Sequence, residues 1–166
     1  EIARESGRET ELPLGDSWAR ALSYSPDGRA LAAGTADGRV VLFDLEAGAQ
    51  LGEVLRHEGD VRALAFVGGR IISGGDDGRV QIMEAEKLAT LSALELGSPV
   101  RVLAASSSAR KIAVGLGAGQ VAILDEAGRL LRIHADLGAP VLSLAFAPRG
   151  DVIIAGTSDG SLHWLS

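Results

Sequence analysis

Short apolar runs recur along this chain, separated by glycine, proline, serine and aspartate. ARALSY at 19–24 has counterparts VRALAF at 61–66, VRVLAA at 100–105 and VLSLAF at 141–146, with Leu22, Leu64, Leu103 and Leu144 in register. Turn chemistry follows each: SPDGR from Ser25, VGGR from Val67, SSSAR from Ser106, APRGD from Ala147. A second apolar run comes next (31–33, 71–73, 112–114, 152–155), then a glycine hairpin, then a third run (40–43, 80–83, 121–124, 162–165). A fourth, weaker run closes the unit, as in GEVL from Gly52 and LLRI from Leu130. Every run has strand length and every linker has hairpin length. No segment sustains a 3.6-residue apolar period for ten residues, so a helix is hard to place.

The runs are copies of one unit. Gly34, Gly74, Gly115 and Gly156 match, at spacings of 40, 41 and 41, which indicates a repeat architecture. Four short antiparallel strands per repeat, arranged radially, make a β-propeller blade. YSPDG at 24–28, the hairpin pairs Asp37–Gly38, Asp77–Gly78 and Asp159–Gly160, and the third-strand endings Phe43–Asp44, Met83–Glu84 and Leu124–Asp125 carry a resemblance to the WD-repeat family. The namesake tryptophan is absent from every repeat; Trp164 stands one position early, in line with Leu42, Ile82 and Ile123. The resemblance implies an all-β propeller of four-stranded antiparallel blades, four per chain, with repeats at about 17–56, 57–97, 98–137 and 138–166.

The ends do not match. Repeat four stops after its third strand, and TELPLGD at 10–16 is an orphan in which Leu12 and Leu14 alternate as in a strand. Pro13 is tolerable there on an edge. In the resembled family such a strand completes the last blade. A strand at 10–15 is therefore expected to close blade four, in cis or in trans in a two-chain, eight-bladed ring. Four blades alone would each turn about 90°, against about 51° for the seven blades usual in the family, which crowds the axis. A two-fold ring satisfies both orphan edges, and blades from a longer parent are the third possibility. Residues 1–9 are a charged lead-in, either a helical linker or a disordered tail. The chain opens on Glu1, not Met, so it is expected to be a piece of something longer.

Composition narrows the partners. The 166 residues carry 22 acidic and 16 basic side chains, a net charge of −6. Binding to nucleic-acid backbone needs a basic face, so none is expected. No apolar run reaches the roughly 18 residues needed to span a bilayer, and no charged-then-apolar leader opens the chain. There is no cysteine, which suits a reducing compartment and a cytoplasmic location.

ISGGDDGRVQI contains adjacent carboxylates, Asp76 and Asp77, with Ser73 four residues before Asp77 and His57 twenty before it. The residue types are those of a Ser-His-Asp hydrolase triad, but no G-x-S-x-G elbow is present. The resemblance implies another role. In WD repeats a histidine before the first strand, a hydroxyl on the second strand and the hairpin aspartate form a structural network, so His57, Ser73 and Asp77 are expected to hold blade two. Asp37 and Asp159, lacking such partners, are expected to bond turn amides. A Ca²⁺ or Mg²⁺ site at Asp76 and Asp77 lacks further spaced oxygen ligands, and no metal or cofactor is expected. His134 and His163 are solitary. GLGAGQV lacks the Lys-Ser/Thr ending of a phosphate loop.

The remaining candidates lie at one end of the inner strands. Arg20, Arg62 and Arg101 follow the start of that strand in three repeats, and Leu142 takes the place in the fourth. In the resembled family this position opens onto the face near the central channel. Trp18 and Asp60, two residues earlier, and Ala36, Asp76 and Ser158, before the hairpin aspartate, should share it. Either the arginines pair with Asp60 and Asp76 as a solvated rim, or they form a shallow site for an acidic or phosphorylated peptide with Trp18 as anchor. The resemblance implies a non-enzymatic protein- or peptide-binding scaffold, part of a larger bacterial-type signalling or regulatory protein. The alternatives are a propeller hydrolase or lyase with a central-cleft site, and an oligomerisation segment.

Overall fold

A computed structural model describes residues 10–134 and 136–166; the lead-in expected at 1–9 lies outside the described residues. Among the described residues fifteen strands form four antiparallel sheets. Blade one holds β1 (Ala19–Tyr24), β2 (Ala30–Thr35), β3 (Arg39–Asp44) and β4 (Ala49–Leu55). Blade two holds β5 (Val61–Val67), β6 (Arg70–Gly75), β7 (Arg79–Glu84) and β8 (Ala89–Glu95). Blade three holds β9 (Val100–Ser106), β10 (Lys111–Leu116), β11 (Val121–Asp125) and β12 (Leu130–His134). Blade four holds only β13 (Val141–Phe146), β14 (Ile153–Thr157) and β15 (Leu162–Leu165). Strand order within each blade follows the chain, as short hairpin linkers require.

The hairpin between the second and third strands explains the glycine that recurs there in every repeat. Gly38, Gly78, Gly119 and Gly160 all sit at positive φ, 75° to 88°, a region open to glycine at little cost. Each donates its N–H back to the end of the second strand, at 3.1 to 3.3 Å.

The blades bury their apolar faces on one another. Ala32, Val40 and Leu42 of blade one pack on Val61, Leu64, Ile71 and Met83 of blade two. Ile72, Val80 and Ile82 pack on Val100, Ile112, Val114 and Leu124 of blade three. Ala113, Val121 and Ile123 pack on Val141, Ile153 and Ala155 of blade four. Each fully buried aliphatic side chain contributes about 1.5–3 kcal/mol. Approach is closest at the repeat glycines: a Cβ on Gly34, Gly74 or Gly115 would lie 2.6, 2.4 and 2.7 Å from a Cγ1 of Val61, Val100 and Val141, the first residue of the next inner strand.

The series does not close on itself. Inner strands pack as β1 on β5, β5 on β9 and β9 on β13, but Leu22 of β1 is 61% exposed where Leu64 of β5 is 9%. The expected strand at 10–15 is not formed, and blade four is not completed by it within this chain. Leu12 and Leu14 pack instead on Ala33, Val41 and Phe43, on the outward face of blade one. The Arg39 guanidinium ties the segment down by donating to the Leu14 carbonyl at 3.0 Å. The physical reason is that alternating leucines cover an apolar face as readily as they join a ladder, and the free edge of β15 is not beside them.

Candidate functional site

One backbone hydrogen bond per blade builds a common rim. Ala36 N–H donates to the Trp18 carbonyl, Asp76 to Asp60, Gly117 to Pro99 and Ser158 to Pro140, at 2.8 to 3.0 Å. Each bond ties the loop before the inner strand to the hairpin after the second strand.

Beside that bond every inner strand carries a bulge. Ala19 pairs Thr35 and Ala21 pairs Gly34, so Arg20 is the extra residue. Val61 pairs Gly75 and Ala63 pairs Gly74, which leaves out Arg62. Val100 pairs Leu116 and Val102 pairs Gly115, which leaves out Arg101. Val141 pairs Thr157 and Ser143 pairs Gly156, which leaves out Leu142. A bulge re-aims its extra side chain out of the ladder alternation. Sequence reasoning found the shared position but not the bulge, which leaves no signature in residue types here.

Three of the bulged residues meet. Arg62 forks onto Asp76, Nε to Oδ1 at 2.9 Å and Nη2 to Oδ2 at 2.8 Å. Its Nη2 also lies 3.3 Å from Asp60 Oδ2. Arg20 Nε is 2.9 Å from that same oxygen. Arg101 Nη1 is 3.8 Å from Asp76 Oδ1, the loosest contact of the set. Hydrogen bonding from Arg62 holds the Asp76 carboxyl below its ordinary value against the opposing effect of burial, with the Arg101 and Arg20 charges adding to it. The same bond raises Arg62. Three guanidinium groups thus share two carboxylates, leaving one positive charge within this cluster. Trp18 is exposed, with the Arg20 guanidinium carbon 5.5 Å from its ring centroid. Trp18 also borders a shallow depression with Asp16 and Asp37. On blade four Leu142 is exposed and Ser158 joins the rim only through its backbone.

His57, Ser73 and Asp77 also come together, inside blade two. His57 Nδ1 is 2.9 Å from Asp77 Oδ1, and Nε2 is 2.8 Å from the Ser73 hydroxyl. The carboxylate further accepts from the Arg79 N–H at 3.0 Å and the Glu58 N–H at 3.1 Å. Burial works to raise the Asp77 pKa, but the hydrogen bonds from His57, Arg79 and Glu58 outweigh it and the group is lowered. The order Ser–His–Asp is that of a hydrolase, yet the Ser73 side chain is fully buried, so its hydroxyl has no access to a substrate carbonyl. It closes a structural network spanning the loop before β5, β6 and the β6–β7 hairpin.

The other hairpin aspartates differ from expectation in part. Asp159 accepts from the Ser161 N–H at 3.1 Å, a turn amide, and from the Thr157 hydroxyl at 2.7 Å. Asp37 accepts from the Thr35 hydroxyl and from Arg39 Nε at 2.9 Å rather than from a turn amide. The Thr35 bond, with burial opposing, lowers Asp37 to about 2. The hydroxyl two residues ahead of each aspartate was the missed signal. His163 reaches only Thr157, at 3.4 Å. Among the described residues no three His, Cys, Asp or Glu side chains gather to hold a metal, and no helix is long and apolar enough to cross a membrane.

Known proteins share this architecture. Residues 9–67 match the family described as anaphase-promoting complex subunit 4 WD40 domain, and residues 128–164 match the WD domain, G-beta repeat. Telomerase protein component 1 of Mus musculus is 29% identical over 151 residues, covering 87% of this chain and 6% of that protein. Transcription factor unc-37 of Caenorhabditis elegans is 27% identical over 145 residues, covering 86% and 24%. The chain therefore spans a small part of these relatives. Among solved structures, the computationally designed Ika4 protein superposes with a TM-score of 0.86 at 27% identity, over 96% of this chain and 98% of that one. A chain of the mitotic checkpoint complex gives 0.89 at 22% identity, over 98% and 55%, a likeness of fold alone. With its four in-phase repeats, antiparallel blades and hairpin aspartates, the chain belongs to the WD-repeat family of β-propellers.

Proposed function

We propose that the chain is a non-enzymatic scaffold that binds a protein or peptide on the bulged rim, and that the bound segment is acidic or phosphorylated. The observation that carries this is the convergence of Arg20, Arg62 and Arg101, each set out of its ladder by a bulge, around only two carboxylates. Asp60 and Asp76 hold Arg20 and Arg62 in place, which lowers the entropy lost on binding. Arg101 is the least engaged of the three, so it supplies the free fork for an incoming carboxylate or phosphate. Trp18 offers an apolar anchor at the edge, and Leu142 and Ser158 extend the face onto blade four. Because Asp16 and Asp37 border the depression beside Trp18, the anionic group belongs on the Arg62–Arg101 side.

Fluorescence anisotropy with acidic and phosphorylated peptides tests this reading. Arg101→Ala should weaken binding most among single substitutions, and the triple change of Arg20, Arg62 and Arg101 to alanine should abolish it with the melting curve retained. Affinity should fall as salt rises. Binding that is indifferent to the triple change and to salt would remove the rim from the function.

A further inference from the structure

We propose that the open faces of blades one and four are covered by a second copy of this chain, in a closed two-chain ring of eight blades. The two faces are the two halves of one interface that the chain already builds three times. On the leading face of blade four, Trp164 is 73% exposed, while Ile82 at the same register of blade two is 1%. Leu162 beside it is exposed, while Val40, Val80 and Val121 at its register are buried. Gly156 lies on the same side. Its counterparts meet a valine of the following blade, whereas a Cβ here would meet Ser143 of its own blade, at 2.4 Å. On blade one, Ala19, Leu22 and Tyr24 are exposed at the registers of Val61, Leu64 and Phe66, which pack against a preceding blade.

The N-terminal segment favours a copy of this chain as the occupant. Leu12 and Leu14 cover blade one as fourth-strand residues cover the next blade elsewhere: Val54 packs in the blade one–two cluster and Leu94 in the blade two–three cluster. The acceptor position recurs as well: the Leu14 carbonyl accepts from Arg39, and the Arg56 carbonyl, at the same register just after β4, accepts from Gln81, two positions further along its third strand. Residues 10–16 thus stand where the fourth strand of a preceding blade stands, and the blade that lacks a fourth strand is blade four. A partner's β15 set against this segment gives the partner's Trp164 and Leu162 the cover of Leu22 and Tyr24. The contact is heterologous, and two copies make it twice and close. It rests on the blade faces alone, so it stands or falls separately from peptide binding at the rim.

Light scattering on the 166-residue chain at micromolar concentration should give twice the 17.1 kDa chain mass. Leu22→Lys and Trp164→Asp should each yield single chains, and mixing the two variants should restore a dimer through the one unmodified contact and the new charge pair. A single-chain mass, a ladder of larger species, or a dimer lost to Leu22→Lys but not to Trp164→Asp would overturn the proposal. Fluorescence decides the matter should either variant fail to fold. In Trp18→Phe only Trp164 emits, and its emission should be blue-shifted in the dimer and move to the red on dilution. Blue-shifted emission from a particle of single-chain mass would mean closure within one chain and would likewise overturn it.

Discussion

Blades two and one lock the same hairpin by different means. In blade two Asp77 is held from a distance, by a histidine twenty residues earlier whose imidazole is buried. In blade one Asp37 is held chiefly by its neighbours, the Thr35 hydroxyl two residues earlier and Arg39 two residues later, with the Ser17 side chain adding a lesser hydrogen bond. The choice is steric. Thr35 occupies the register of Gly75, and a Cβ on Gly75 would sit 2.5 Å from His57 Nδ1. Glycine at that register admits the histidine, and threonine replaces it. Blade four takes the local solution too, with Thr157 and Asp159. The lesson is that one motif position stabilises through tertiary contact in one repeat and through turn geometry in another, so its energetic weight differs between repeats.

The sharpest way to break the comparison is to put blade one's residue into blade two. Gly75→Thr forces a side chain into the space of a buried imidazole. Overpacking of this kind costs about 1–3 kcal/mol, and displacing His57 from Asp77 leaves buried polar groups unpaired at about 1–3 kcal/mol more. A fall in melting temperature of roughly 5–15 °C is expected for a chain of this length. Pairing it with His57→Ala should recover much of the loss, because the space is then free. A double variant as unstable as the single one would show that the clash is not the cause.

Asp77→Ala comes next. It leaves His57 Nδ1 and the Glu58 and Arg79 N–H groups without their acceptor, at a cost of about 1–3 kcal/mol. The pH dependence has a definite sign. The folded Asp77 pKa lies below its ordinary value of 3.8, so its contribution is present above that value and is lost as pH falls below it, through the folded pKa. Urea midpoints of wild type and Asp77→Ala should therefore converge as pH drops below the ordinary carboxylate value. Curves that stay parallel would show that the charge of Asp77 adds nothing to the network.

Asp37→Ala should cost less than about 1 kcal/mol, since its carboxylate is half exposed and its ion pair with Arg39 is screened. Thr35 keeps its bonds to the backbone of Arg39. With the folded pKa near 2, whatever Asp37 contributes should disappear between about pH 4 and pH 2 in acid titrations of stability. A loss equal to that of Asp77→Ala would erase the distinction between the two blades.

Much of this was legible before any coordinates. The spacing of about 40 residues between Gly34, Gly74, Gly115 and Gly156 announces blades, because Gly34, Gly74 and Gly115 each sit against the first valine of the next blade's inner strand. The network of His57, Ser73 and Asp77 was legible through the resemblance to WD repeats, which places a histidine, a strand hydroxyl and a hairpin aspartate at those positions. Other features could not be read. Leu12 and Leu14 alternate identically whether they pair with β15 or lie across Val41 and Phe43. The bulges at Arg20, Arg62 and Arg101 are register events, invisible in residue types. The exposure of Leu22 and Trp164 depends on which blade stands beside them, and local sequence records no neighbour.

The smallest effect is expected at Asp159, and it tests the locality argument most directly. Asp159 is solvent-exposed, its bonds run only to Thr157 and Ser161, and both partners have alternatives. The Thr157 hydroxyl also lies 3.2 Å from the Ser161 carbonyl and 3.4 Å from His163. Nothing across the loops depends on the carboxylate as His57 depends on Asp77. Asp159→Ala should therefore leave the melting temperature within experimental error of wild type, and replacing Asp159 by Asn, which keeps an acceptor oxygen, should be indistinguishable from it. If Asp159→Ala destabilised the chain as much as Asp77→Ala while the Asn variant did not, the turn bond itself would carry the energy. The burial of His57 would then not be what sets blade two apart.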